Sequence, residues 1–148
     1  MEVQKDFKEF LALLNEHEVK FIIVGGYALA YHGAPRFTGD IDVFIKSDKE
    51  NAERMLKSLE EFGFGSLDIS IEDFLQPDNI IQLGVPPVRI DLITSISGVT
   101  WEEANASKEK GLFGDVTVSF IGKEQFINNK RASGRKKDIA DLESLGEE

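Results

Sequence analysis

Two aspartates one residue apart, Asp40 and Asp42, open the run Asp40-Ile41-Asp42-Val43-Phe44-Ile45. If that run is a strand, both carboxylates lie on one face, because side chains repeat every second residue. Like charges held so close raise each other's pKa unless a cation lies between them. Hard oxygen ligands at this spacing suit Mg²⁺, which is usually held by a few carboxylates together with substrate phosphates. Upstream, Gly25-Gly26 stops the apolar run Phe21-Ile22-Ile23-Val24. A glycine pair between a strand and a helix lets backbone N–H groups approach an anion at the positive helix end. Arg36 could grip phosphate oxygens bidentately. A third carboxylate, Asp91, interrupts the apolar strand pattern Val88-Arg89-Ile90-Asp91-Leu92-Ile93. Buried there, it needs a cation or hydrogen-bond donors. Three carboxylates on adjacent strands beside a glycine turn form the arrangement that two-metal nucleotidyl transfer uses.

Competing chemistries fit less well. A calcium loop needs further oxygen ligands and a glycine after Asp42, where Val43, Phe44 and Ile45 stand. No Gly-Lys-Ser/Thr phosphate loop and no Gly-x-Ser-x-Gly nucleophile elbow is present. With no cysteine, disulfides, thiolate metal sites and cysteine nucleophiles are excluded. His32 reads as a structural histidine on a short helix, His17 as a helix-end residue, and Trp101 as a packing anchor. Lys130, Arg131, Arg135, Lys136 and Lys137 concentrate positive charge in eight positions. They read either as a solvated helix turn or as a contact for nucleotide or acceptor.

The elements that must hold these residues follow from periodicity. Val3, Phe7, Phe10, Leu11 and Leu14 predict an amphipathic helix over 3–16. Strands are predicted at 21–24, 40–45, 79–83, 88–93 and 116–121, with Gly84-Val85-Pro86-Pro87 closing a hairpin between the third and fourth. A short helix is expected over 27–31. Ser47 followed by Glu50 suggests a capping box for a helix ending at Gly63. Further helices are expected at 101–108, at 123–130, and at 135–145 with an apolar stripe of Ile139, Leu142 and Leu145. The alternation predicts one α/β (α+β) domain over 1–148, a mixed sheet flanked by helices.

Composition agrees with a folded, core-forming chain: 148 residues, 41% hydrophobic and 30% charged. A net charge of −10 argues against a general nucleic-acid coat or an anionic-membrane binder. No apolar run approaches a membrane span and MEVQKDFKEF is no signal peptide, so a cytoplasmic protein without membrane contact is expected.

Together, Gly25-Gly26, the thirteen-residue spacer, Asp40-Ile41-Asp42 and the later Asp91 resemble the DNA-polymerase-beta-type nucleotidyltransferase superfamily. The stretch Arg36-x-Thr38-x-Asp40-Ile41-Asp42 is similar to tRNA-terminal nucleotidyltransferases and to the transferase toxins of type IV abortive-infection pairs. The tail Lys130-Arg131 … Gly134-Arg135-Lys136-Lys137-Asp138-Ile139-Ala140-Asp141-Leu142 resembles that of the small toxin group. Gly26 departs from the pattern, since many members have serine there, and the C-terminal helical domain of larger members is missing. The resemblance implies transfer of NMP from an NTP, such as ATP, to a hydroxyl acceptor with release of pyrophosphate. It implies that Asp40, Asp42 and Asp91 hold two Mg²⁺ ions, with Asp91 serving the attacking hydroxyl. It further implies that Gly25 and Gly26 seat phosphates, and that Arg36, Thr38, Lys130 and Arg135 contact the nucleotide. The acceptor would be a tRNA or other RNA end, a protein hydroxyl or a small molecule such as an antibiotic. A homodimer or an antitoxin-like partner would be in keeping with the group. The alternative is a non-catalytic nucleotide- or partner-binding module that retains the fold.

Overall fold

The computed structural model describes residues 4–36, 38–65 and 67–147. Helix α1 (Lys5–Glu16) turns Phe7, Phe10, Leu11 and Leu14 inward and leaves its charges in solvent. Strand β1 (Phe21–Val24) is buried throughout, as its uninterrupted apolar sequence requires of a central strand. Helix α2 (Gly25–Tyr31) begins directly at the glycine pair, two residues earlier than periodicity predicts. Strand β2 (Asp40–Ile45) carries the two aspartates. Helix α3 (Lys49–Leu59) is capped by Asp48, whose carboxylate accepts the Asn51 N–H at 2.8 Å. Asp48, one residue after the expected cap Ser47, is therefore the residue in extended conformation. A single π-helical turn (Glu60–Phe64) follows α3, with Gly63 at φ 103°.

Helix α4 (Ile71–Leu75) leads into the hairpin of β3 (Ile80–Leu83) and β4 (Arg89–Ile93). Helix α5 (Trp101–Ser107) precedes β5 (Glu109–Phe113) and β6 (Val116–Phe120), and α6 (Lys123–Ser133) and α7 (Lys136–Ser144) follow. Neither α4 nor β5 is foreseen by periodicity. The first is a single capped turn, and the second (Glu-Lys-Gly-Leu-Phe) has no alternation and lies at the sheet edge.

The six strands form one mixed sheet in the order β3-β4-β2-β1-β6-β5. Strand β2 pairs antiparallel with β1 and parallel with β4, and that second pairing sets the site. Helices cover the sheet, giving an α/β fold. Trp101 rests edge-on against Phe44 at 5.2 Å, an anchoring role. His32 bonds the Ile121 carbonyl at 2.7 Å and His17 meets Glu61 at 2.7 Å, so both serve packing. Ile139, expected in the buried stripe of the last helix, is 49% exposed, while Leu142 is buried. The inward positions on that helix are instead Asp138 and Asp141. Among the described residues, no helix is long and apolar enough to cross a membrane.

Candidate active site

In the parallel β2–β4 pair, Asp42 stands opposite Asp91 and Asp40 opposite Arg89. The two-residue repeat of each strand then puts all four side chains on one face. Asp40, Asp42 and Asp91 each offer a carboxylate oxygen within 4.8 Å of the others. Arg89 closes part of this cluster. Its Nε and Nη2 donate to the two oxygens of Asp91 at 3.0 and 3.1 Å, and Nη2 also donates to Asp40 Oδ2 at 2.6 Å. Thr38 Oγ1 donates to Asp40 Oδ1 at 3.0 Å.

These contacts divide the three acids electrostatically. Burial pushes Asp40 up, but hydrogen bonds from Thr38 and Arg89 outweigh it and hold the carboxyl below its ordinary value. Asp91 is raised, chiefly by burial, which its bonds to Arg89 only partly offset. Asp42 is pushed up to about 7, first by burial and then by the charges of Asp40 and Asp91. Among the described residues no group donates a hydrogen bond to it.

Gly25 explains how α2 comes so close. Its φ is 68°, and a Cβ there would collide with the Asp42 carboxylate. A Cβ on Gly26 would lie 3.1 Å from Thr38 Oγ1 and 3.4 Å from Arg36 Nη1. The space that a side chain on this residue would occupy is therefore already bordered by two polar residues.

The remaining expected contacts form a second constellation. Lys130 is 4% exposed, with Nζ 3.2 Å from Asp138 Oδ1 and 3.4 Å from Asp141 Oδ2. Arg135 donates to Asp138 through Nε at 2.8 Å and Nη2 at 3.1 Å. Arg36 donates to Asp141 through Nε at 3.0 Å and Nη2 at 3.3 Å. Lys130, Arg135 and Arg36 thus share two buried carboxylates. A cavity of about 360 Å³ links both constellations, lined by Gly25, Asp42, Ile93, Ser95, Lys130 and Arg135. Periodicity overlooks three members of the site: Arg89, Asp138 and Asp141. Arg89 was legible as the residue two before Asp91 on the same strand face. The two aspartates stand in the tail sequence at a spacing that places them on one helical face.

The donor set fits a hard divalent cation. Among the described residues the three carboxylates share one guanidinium in ion-pair contact, and Asp42 has no hydrogen-bond donor and feels Lys137 and Lys130 only through space. Asp40, Asp42 and Asp91 are the residues that would hold such an ion.

The fold has solved counterparts. Lincosamide antibiotic adenylyltransferase LnuA, bound to lincomycin, is 15% identical with a TM-score of 0.63, over 99% of this chain and 98% of that one. ANT(2″)-Ia in complex with adenylyl-2″-tobramycin is 15% identical with a TM-score of 0.59, over 94% and 84%. An antigenic nucleotidyltransferase-like protein from Paracoccidioides brasiliensis is 19% identical with a TM-score of 0.56, over 97% and 77%. At these identities the likeness is one of fold. A search among curated proteins returns no match. The family model described as nucleotidyl transferase of unknown function (DUF2204) matches residues 3–148, and the chain belongs to that family of nucleotidyltransferase enzymes.

Proposed function

We propose that this single nucleotidyltransferase-like domain moves an NMP from an NTP to the hydroxyl of a small acceptor, with Mg²⁺ as cofactor. The observation that carries the reading is the convergence of Asp40, Asp42 and Asp91 within 4.8 Å, beside a cavity shared with Lys130 and Arg135. Asp40, Asp42 and Asp91 would hold two Mg²⁺ ions. Bound there, the metal would offset phosphate charge and acidify the attacking hydroxyl.

The chain's own groups then divide the work. Gly25 and Gly26 bring the first turn of α2 against the acid cluster, so its backbone N–H groups can meet phosphate oxygens. The cations paired with Asp138 include Lys130 and Arg135, which line the same cavity as Asp42 and would face a triphosphate there. Lys130 and Arg135 reach the cavity directly. Arg36 and Thr38 act one step removed, through Asp141 and Asp40. In the transfer a bond forms between the acceptor oxygen and the α-phosphorus. The bond from that phosphorus to the pyrophosphate oxygen breaks, and the acceptor proton passes to Asp91.

A small acceptor is favoured over an RNA by the fate of the basic tail. Lys130 is buried, and both Lys130 and Arg135 are committed to Asp138, so the tail offers less charge to a polyanion than its sequence suggests. The structural counterparts that carry lincomycin and adenylyl-tobramycin point the same way. The test is incubation with α-labelled NTPs, Mg²⁺ and panels of hydroxylated antibiotics, tRNA and cell protein. Label in a small molecule, with pyrophosphate released, is expected. Label in RNA or protein would reassign the acceptor. Binding of NTP with no turnover on any acceptor would favour a non-catalytic module.

A further inference from the structure

Arg89 makes three hydrogen bonds to two of the three clustered acids, and it does so with one guanidinium. Both oxygens of Asp91 and Oδ2 of Asp40 accept from it, while Oδ1 of Asp40 accepts from Thr38. Every carboxylate oxygen on Asp40 and Asp91 is therefore already engaged, and only Asp42 stands outside the arrangement. Such a fork supplies the bidentate, charge-assisted geometry that a carboxylate pair accepts best. The guanidinium also occupies the carboxylate oxygens that a divalent ion would use, and two cations brought to the same oxygens repel each other strongly.

The contact borders solvent. The Arg89 side chain is 30% exposed, unlike the Lys130 side chain at 5% in the neighbouring network. Arg89 lies at the first position of β4, and the preceding Gly84-to-Val88 connection borders solvent, with Val85 75% exposed. The guanidinium contact therefore lies at the edge of the solvent and not inside the packed core.

We propose that Arg89 is a resident counter-ion of the acid cluster, holding Asp40 and Asp91 together in the metal-free protein and giving way when the divalent ion binds. The inference rests on the reading of the three acids as the metal site. Arg89 then acts as a positioning residue with two effects. It suppresses carboxylate repulsion in the metal-free protein, and it sets a threshold of metal concentration for loading. The guanidinium and the divalent ion each weaken the other's hold on the acids by the same factor, as thermodynamic linkage requires.

The test is Mn²⁺ binding to the NTP-free protein, measured by the loss of free-ion signal in electron paramagnetic resonance and by calorimetry. Arg89→Met and Arg89→Gln are compared with wild type, with circular dichroism verifying the fold of each. Removing the guanidinium charge should tighten Mn²⁺ binding by about tenfold or more, within the usual span of such couplings. The metal-free melting temperature should fall in the same variants and recover on adding Mn²⁺. Arg89→Lys, which keeps the charge but loses the fork, should fall between. A merely structural arginine predicts the reverse, weaker metal binding once it is removed. Wild-type binding with no gain in either neutral variant overturns the inference alone. Absence of Mn²⁺ binding in wild type and variants alike overturns it together with the metal reading.

Discussion

Asp42 is the acid whose charge the cluster tolerates worst without a metal, and its replacement by asparagine should stabilise the metal-free protein while ending nucleotidyl transfer. The carboxyl rises from 3.8 to about 7 because it is buried, lies beside Asp40 and Asp91, and receives no hydrogen bond. A folded-state value above the unfolded one means that the folded chain keeps a proton that the unfolded chain has released. The contribution of this group is therefore intact below about pH 4, declines through pH 4–7, and is wholly lost above pH 7. Each unit of pKa is worth about 1.4 kcal/mol, so the ionised carboxylate costs the folded state about 4 kcal/mol at pH 8. An asparagine amide keeps the burial cost of a polar group but sheds the charge, and roughly half of that sum, about 2 kcal/mol, should be recovered. For a chain of this size the gain corresponds to roughly 5 °C in melting temperature. The assay is thermal unfolding in EDTA at pH 5 and pH 8. The Asp42→Asn protein should melt higher at pH 8 and close to wild type at pH 5. Addition of Mg²⁺ and NTP at about a hundred times the wild-type Kd should then stabilise wild type by about 2.7 kcal/mol and the variant far less. A gap that is the same at both pH values, or a variant that melts lower at pH 8, would refute the account of Asp42.

Three further outcomes follow from the same geometry. Asp91→Asn should retain most NTP binding through Asp40 and Asp42 but lose about a thousandfold in turnover, the size expected for a lost proton acceptor; equilibrium binding beside single-turnover kinetics separates the two, and an equal collapse of binding would contradict the assigned division. Lys130→Met leaves Asp138 and Asp141 with two cations in place of three, and should cost about 3 kcal/mol in urea unfolding, as one-sided removal of a buried ion pair does; a neutral result would mean that Arg36 and Arg135 suffice. Gly25→Ala forces a Cβ toward the Asp42 carboxylate at a backbone φ of 68°, and should destabilise by about 2 kcal/mol and weaken metal binding together; loss of stability with unchanged Mn²⁺ affinity would separate the glycine from the site.

Much of this protein was legible as local pattern. The apolar runs of β1, β2, β4 and β6 and the amphipathic faces of α1 and α3 follow from periods of 2 and 3.6 residues, which depend only on neighbours in the chain. The Asp40/Asp42 pair, Asp91 and the glycine pair were visible for the same reason, since their types and spacing are unusual inside apolar strands. Local signals misplace what short-range competition decides. Ser47 and Asp48 both qualify as caps, and the extended conformation of Asp48 settles the choice. Ile139 fits an apolar stripe, yet the neighbouring helix face turns Asp138 and Asp141 inward because Lys130 and Arg36 lie there to pair with them. Register between distant strands is not written in either strand alone. The parallel alignment of β2 with β4 brings Asp91 opposite Asp42 and Arg89 opposite Asp40, across nearly fifty residues of intervening chain. A shift of one residue would have sent Asp91 to the other face of the sheet. The residue types fixed in the sequence determine that hard cations and phosphates suit this chain. Only the tertiary pairing of strands decides that three acids share one site, and that an arginine from the same chain stands among them.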